Sequence, residues 1–429
     1  MENKEFKLVI IGAGPAGLIA AIESFIPGME IIVLEKMFKP ALKLRISGKG
    51  RCNITNKADI ETFISHFGRN GKFLRYPFSK FFNDDLLNYF ENMGVKFKLE
   101  RGGRYFPLKD DSLEIVESLL KRVKSLNIPV STGSDVKSIM NKDNGLFEIL
   151  IKKTDPSSRA REIKISSENI LIATGGRSYP GTGSNGSGYI LASQLGHTIS
   201  QIRPALVPII TSGIDTEHLN GLTLRNVNVE VWSSNKKINE QFGEMAFTVF
   251  GVSGPVILSM SKMIVEVLEQ RKKINLIVDL KPALEHKTLE KRLLREINNF
   301  GDKTFSYLLK NLLPKSMIPV FFERMEISGE KKLSQVTSDE RKNLRMLLKG
   351  FRIEIAGYKS FKHAIVTSGG VNLNEIDSRT MGSKIIKGLY FAGEVINIDA
   401  DTGGFNLQAA FSTGWLAGKN LKSIIGNHK

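Results

Sequence analysis

The sequence predicts an α/β protein whose two ends build one domain, with β-rich and helical material inserted between them. Three observations predict this. The chain opens on an apolar run, a glycine turn and an alanine-rich stretch, Lys7–Phe25. It closes on a second apolar run and a second glycine-led helix pattern, Gly388–Leu421. Between them, after about Ser200, the apolar period changes first to two and then to about 3.6.

Lys7–Ile11 is a short continuous apolar run, the pattern of a parallel strand buried on both faces. A helix to about Phe25 follows the glycine turn, then a strand over Glu30–Leu34 that ends at Glu35. This is the length of a β-turn-α-β crossover unit. Gly71–Lys124 reads as mostly helical, with a glycine-rich break at Arg101–Arg104. Short strands are expected at Ile128–Thr132, Asp135–Met140 and Leu146–Lys152, and a buried one at Asn169–Thr174. Val227, Val229 and Val231 alternate with polar residues, as do Ile274, Leu276, Val278 and Leu280. That is the period of half-buried antiparallel strands. Leu289, Leu293 and Ile297 then stack at helical spacing, and Phe305, Leu308, Leu309 and Leu312 form a second stripe. Thr337 to Glu340 is a capping box, and Gly350 occupies a helix C′ position. Ala364–Thr367 and Gly388–Ala392 return to strand, and Phe405–Leu421 to helix.

Residues Gly12, Ala13, Gly14, Pro15, Ala16 and Gly17 spell G-x-G-x-x-G between the first strand and the first helix. Gly12 allows the tight turn, Gly14 lets a pyrophosphate approach the backbone, and Gly17 lets helix and strand pack closely. The helix start offers unpaired N–H groups and about half a positive charge to phosphates. Glu35, 18 residues after Gly17, can accept ribose hydroxyls and would repel a 2′-phosphate. The motif leaves FAD and NAD both open. Near the other end, Gly393 and Glu394 follow a strand, and Gly403–Asn406 opens a helix. Its N-terminus can stabilise negative charge, as on a reduced flavin ring.

Composition bounds the rest. The chain has 429 residues, 41% of them hydrophobic and 24% charged, as in globular proteins of two or three domains. Its single cysteine, Cys52, fits a reducing, cytoplasmic setting. No apolar run reaches the ~18 residues of a membrane span, and the apolar start is read as mature structure. The net charge of +17 favours anionic partners. Residues 271–360 hold 20 Lys+Arg against 11 Asp+Glu. The six histidines are scattered, so no metal site is expected.

Six stretches together resemble a known family: GAGPAG with Glu35, SGKGRCNITN, ATGGRSYPGTGSNGSGY, FTVFGVSGP, VTSGGV and LYFAGEVINIDADTGGFNLQAA. The chain is similar to the bacterial NAD(P)/FAD-dependent oxidoreductases of the aminoacetone-oxidase-like or bile-acid-reductase-like group. The resemblance implies a Rossmann-like FAD-binding domain interrupted by a small β-barrel and a helical domain. The boundaries expected are 1–200 with 360–429 for the FAD domain, 201–284 with 350–359 for the barrel, and 285–349 for the helices. FAD contacts are implied at the first glycine motif, Glu35 and Lys36, at Lys43, and in the loop of Ser47, Gly48, Gly50, Arg51, Cys52 and Asn53. Others are implied at Val136, at Ala173, Thr174 and Gly175, at Gly393 and Glu394, and at Gly404, Phe405, Asn406 and Leu407.

In this reading Lys43, Lys49 or Arg51 offset pyrophosphate charge; nearby cations would make the Cys52 thiol more reactive, but Cys52 is read first as a small packing residue next to the cofactor. Cys52 is still not expected to accept electrons, because a dithiol couple needs a second cysteine. Gly181–Gly186 repeats G-x-G-x-x-G without a leading strand, and reads as a mobile loop over flavin or substrate. Gly251, Ser253 and Pro255 only brush the nucleophile-elbow pattern, so a hydrolase is set aside. No side chain declares itself an acid or base; Tyr179 and Arg104 are candidates only by their loops. The expected function is an FAD-dependent oxidoreductase that takes hydride from NADH or NADPH and reduces a small unsaturated or carbonyl substrate, or oxygen. The alternative is a flavin-containing nucleic-acid-binding protein that uses the basic 271–360 region.

Overall fold

The computed structural model describes residues 4–155, 159–213 and 218–426. They divide into two compact units, 1–205 with 361–429, and 206–360.

In the first unit, β1 (Glu5–Ile11), α1 (Pro15–Ser24) and β2 (Ile31–Leu34) form the crossover read from the sequence. β1 is parallel to β2, with Leu8 opposite Ile31, and parallel to Arg161–Ile172 on its other side. Leu8, Val9 and Ile10 are fully buried, as a strand covered on both faces requires. Val130–Ser131 continues the sheet beyond β2. The long strand Arg161–Ile172 changes partner along its length. Residues 161–167 pair antiparallel with Phe147–Lys153, and residues 170–172 pair parallel with Leu389–Phe391. The C-terminal part of the chain thereby re-enters the sheet begun by the N-terminal part.

The C-terminal helix (Phe405–Gly426) packs along α1 through small residues. A β-carbon at Gly414 would lie 2.4 Å from the Ala16 carbonyl oxygen, and one at Gly418 would lie 2.7 Å from that of Ala20. Only glycine permits so close an approach. This contact brings the two glycine-led helix starts, from opposite ends of the chain, into one neighbourhood.

The Gly71–Lys124 stretch departs from its mostly helical reading. Phe97–Glu100 and Arg104–Pro107 form a hairpin around the Arg101–Gly103 turn, and Thr55–Asn56 adds a third strand. The glycine-rich break was a turn between strands rather than a gap between helices.

The second unit is a closed six-stranded antiparallel barrel of Ile209–Ser212, Gly251–Ser253, Lys236–Thr248, Thr223–Ser233, Ile274–Asp279 and Phe351–Tyr358. Val229, Val231, Leu276 and Val278 fill it, fully buried. Leu289, Leu293, Phe305, Leu309, Leu344 and Leu348 from the helical stretch join the same core. Each such buried side chain contributes ~1.5–3 kcal/mol. The capping box forms as read: Thr337 Oγ1 accepts from Glu340 N at 3.2 Å, and Glu340 accepts from Thr337 N at 2.8 Å. Gly350 ends that helix with φ −151°, not in the left-handed geometry of a C′ glycine, because the chain runs straight into a strand at Phe351. No helix among the described residues is long and apolar enough to cross a membrane.

Candidate functional site

The first glycine turn is built as its spacing requires. Gly12 has φ +106°, and a β-carbon there would lie 2.5 Å from the Ala173 carbonyl oxygen. At Gly17 it would lie 1.9 Å from the Gly12 carbonyl oxygen. At Gly14 it would meet nothing within 4 Å, so this face of the turn is open. Pro15 at the first helical position fixes the entry of α1 without spending a useful N–H. Ala16 sits at 3.0 Å from where a Gly393 β-carbon would be, which seats the second motif on the first helix.

Glu35 is buried at the end of β2. Its carboxylate accepts from Ala13 N at 2.9 Å and Met37 N at 2.8 Å. Burial raises its pKa, and the two N–H bonds offset part of that rise. Lys36 turns to Asp135 at 3.7 Å. Val136 lies on the neighbouring strand, buried, just past the Gly133 turn that bonds back to Met37 and Glu35. The second glycine-rich loop lies over this end of the site. A β-carbon at Gly183 would sit 2.9 Å from Met37 Cγ and 3.7 Å from Glu35 Oε1, and one at Gly175 would sit 2.9 Å from Ser184 Oγ.

The SGKGRCN loop follows α2 (Leu42–Ile46) and holds four residues in the left-handed region: Gly48, Lys49, Gly50 and Cys52. Cys52 is fully buried. Burial pushes its thiol up to about 12, with only partial relief from the Ser47 hydroxyl. This corrects the activated thiol. The cation beside it in sequence turns away: Arg51 bonds Asp110 at 2.7 Å, pairs with Glu100, and stacks 4.1 Å over Phe106. Just beyond the cysteine, Asn53 Oδ1 and Thr55 Oγ1 are buried without a hydrogen-bond partner. Thr55 abuts the C-terminal motif, for a β-carbon at Gly404 would lie 2.5 Å from its carbonyl oxygen. Asn56 completes the junction by donating to Gly403 O at 3.1 Å.

The C-terminal motif is tied as tightly. Gly393 N donates to Thr413 Oγ1 at 3.0 Å. Asn406 closes the loop before its helix, accepting from Ala400 N at 2.9 Å and donating to Asp401 O at 3.1 Å. Phe405 is buried against Phe63 at 4.8 Å, while Leu407 is half-buried. Glu394 is spent within the protein: Lys43 Nζ reaches it at 2.6 Å, Thr367 N at 2.7 Å and Ser178 Oγ at 3.0 Å. Lys43 also donates to Ser178 Oγ at 2.6 Å. Its charge therefore balances Glu394 in this structure.

Ser178 and Thr367 escaped residue-level notice, although both lie in quoted motifs. So did Tyr189, whose buried hydroxyl lacks a hydrogen bond; burial first, and the charge of Glu394 second, raise its pKa. His66 and Asp401 were also missed. His66 Nδ1 lies 3.0 Å from Asp401 Oδ2, and its ring stacks on Phe405 at 3.9 Å. Their 335-residue separation left no local signal. Of the two sequence candidates for acid or base, Arg104 is exposed and bonds Arg101 O, and Tyr179 heads a turn against Phe361.

These residues fit a dinucleotide such as FAD. The open face at Gly14, the buried Glu35 and the orphaned Asn53 and Thr55 oxygens supply the donor and acceptor set such a molecule needs. Comparison with known proteins agrees. The family profile described as "HI0933-like protein Rossmann domain" matches residues 6–420. A 3-dehydro-bile acid delta(4,6)-reductase of Clostridium scindens is 28% identical over 415 residues, covering 96% of this chain and 98% of its own. A ribosomal RNA dihydrouridine synthase of Escherichia coli is 28% identical over 422 residues, with 97% and 98% covered. Among solved structures, a 3-ketosteroid-delta4-(5alpha)-dehydrogenase from Rhodococcus jostii has a TM-score of 0.53 at 14% identity, covering 98% of each chain. An E. coli quinol fumarate reductase has a TM-score of 0.53 at 16% identity, covering 100% of this chain and 72% of its own. These structural likenesses establish the fold.

Proposed function

The chain belongs to the HI0933-like family of FAD-binding Rossmann proteins, a family of FAD-dependent oxidoreductases, and on that footing we propose that it is an NAD(P)H-linked double-bond reductase. NADH or NADPH supplies a hydride, and a small molecule with a carbon–carbon double bond beside a carbonyl receives it. Two of the curated relatives, a delta(4,6)-reductase and a dihydrouridine synthase, are by name double-bond reductions. The observation that carries the reading is the meeting of two glycine-led helix starts, from opposite ends of the chain, around buried Glu35 and the orphaned Asn53 and Thr55 oxygens.

Bound FAD supplies the hydride chemistry. The protein supplies position and charge. Ala16 and Gly17 N–H groups at the start of α1 would hold the pyrophosphate, and Glu35 would accept the ribose hydroxyls. The N-terminus of the C-terminal helix, at Gly404–Leu407, would stabilise negative charge on the ring. The buried, unpaired oxygens of Asn53 and Thr55 would be available to the same ligand. Lys43, Ser178 and Thr367 hold Glu394 and so fix the Gly393 turn beneath it. The single cysteine fits a cytoplasmic setting.

The test is anaerobic. Purified holoprotein is mixed with NADH and separately with NADPH, and the oxidised flavin absorbance is followed. Rapid bleaching by one of them is expected; no bleaching by either, with FAD bound, overturns the nicotinamide linkage. One observation favours a second reading, reduction of a pyrimidine within RNA. The net charge is +17, and two full-length relatives, from Escherichia coli and Haemophilus influenzae, are named for ribosomal RNA. RNA affinity that survives ~200 mM salt would support it, and affinity lost with modest salt would reduce it to non-specific charge.

A further inference from the structure

We propose that His66, oriented by Asp401, is the group that delivers the proton in this reduction; the inference rests on the reductase reading above. His66 ends α3 (Ile60–His66). Its Nδ1 lies 3.0 Å from Asp401 Oδ2, and its ring lies flat on Phe405, 3.9 Å between centroids and 22° between planes. Phe405 is the first residue of the C-terminal helix, within the segment assigned above to the flavin ring. The imidazole is thus fixed in plane and direction at that helix start. Nδ1 is the ring nitrogen that faces the carboxylate. Nε2 makes no hydrogen bond among the described residues. Both side chains are about one-third exposed, 32% and 38%, so the ring can exchange protons with solvent.

The chemistry balances. The β-carbon of the double bond accepts a hydride from the reduced cofactor, and the π electrons move toward the carbonyl oxygen. The α-carbon then takes the proton of Nε2, and the imidazolium becomes neutral imidazole. The substrate is reduced by two electrons, FAD is reoxidised, and NAD(P)H restores the reduced cofactor. His66 recovers its proton from water. Other charged groups on the elements packed against α3 are engaged or turned outward. Glu61 is paired with Arg75, Asp59 caps the helix through Thr62 N, and Arg69 and Lys72 are exposed on the turn that follows. Asp401 is the one carboxylate within 4 Å of the ring nitrogens among the described residues.

The experiment uses FAD-loaded wild type, H66Q and D401N, each first checked for retained flavin and for a native melting curve. The primary readout needs no substrate: the midpoint potential of bound FAD is followed from about pH 5.5 to 9. The wild-type line is expected to carry a break that depends on the His66 imidazole, its slope changing by about 30 mV per pH unit for one proton per two electrons. The break vanishes in H66Q and moves in D401N. A wild-type line without a break, or a break that persists in H66Q, overturns the proposal. The second readout is reoxidation of the reduced enzyme by cyclohex-2-enone. Wild-type turnover with a loss of about 100-fold or more in H66Q supports proton delivery; an equal rate in H66Q overturns it. If the wild type ignores the enone while the potential breaks as expected, the reductase reading fails and the proton linkage of His66 stands.

Discussion

Gly414→Ala sets two physical effects against each other at one atom. On an exposed helix face, alanine for glycine is worth about 1 kcal/mol of added stability. At Gly414 the new methyl would lie 2.4 Å from the Ala16 carbonyl oxygen and 2.8 Å from Ile19 Cγ2, where ordinary contact begins near 3.4 Å. Backbone oxygen cannot swing aside, so α1 and the C-terminal helix must part by about 1 Å. Overpacking of this kind costs about 1–3 kcal/mol. The cost matches or exceeds the propensity gain, and the net expectation is a loss of up to about 2 kcal/mol. Because α1 begins at the first glycine turn, the same parting shifts that turn away from Gly393 and Gly404. FAD affinity is then expected to fall by about tenfold, the equivalent of ~1.4 kcal/mol. Thermal melting of apoprotein and fluorescence titration with FAD read the two effects separately. A Tm above wild type would refute the close-packing argument, since propensity would then have won. A lowered Tm with unchanged FAD affinity would refute the link from helix spacing to the site.

Glu35→Gln should weaken FAD binding by about 10- to 100-fold, since it removes charged hydrogen bonds worth about 1.5–3 kcal/mol each; calorimetric titration checks it. Cys52, buried with its thiol pushed up to about 12, should resist a thiol reagent at pH 8 in the native protein and react only on unfolding. Cys52→Ser should leave flavin reoxidation intact, whereas its loss with FAD still bound would return the thiol to the redox chemistry. His197 is buried between Glu375 at 3.0 Å and Ser383 at 2.8 Å, and burial lowers its pKa below 6.5. The unfolded chain therefore takes up its proton first as pH falls. The stabilising contribution is whole above about pH 6.5 and is lost as pH falls toward the folded value. A melting series from pH 8 to 5 should show this decline, and His197→Asn should flatten it.

The parts of the structure written in local pattern were legible. β1 reads as a buried strand because Leu8–Ile10 are consecutive and apolar, and the glycine turn because each glycine has its own steric reason. The barrel strands showed their period of two at Val227–Val231 and Ile274–Val278. What stayed hidden was set by distance along the chain. The Arg101–Gly103 turn belongs to a hairpin that Thr55–Asn56 completes from far upstream. His66 finds Asp401, and Lys43 finds Glu394, across more than 300 residues. Cys52 looked activated because Lys49 and Arg51 flank it in sequence. Its left-handed backbone turns it inward, while Arg51 leaves for Phe106, Glu100 and Asp110. Charge proximity in sequence says little where the backbone reverses direction at every second residue.

The parallel packing of α1 against the C-terminal helix also sets a timetable for the nascent chain. α1 ends at Ser24, and its partner begins at Phe405. At translation rates of about 5–20 residues per second, the first helix waits roughly 20–80 s for the surface that covers it. The barrel unit, 206–360, is contiguous and emerges complete within that interval. The first unit meanwhile holds an unfinished apolar helix and a parallel sheet that lacks the Leu389–Phe391 strand. Such non-local topologies fold slowly and expose sticky intermediates. Holdase chaperones should therefore capture ribosome-bound chains truncated just before Phe405, and release those extended past Gly426.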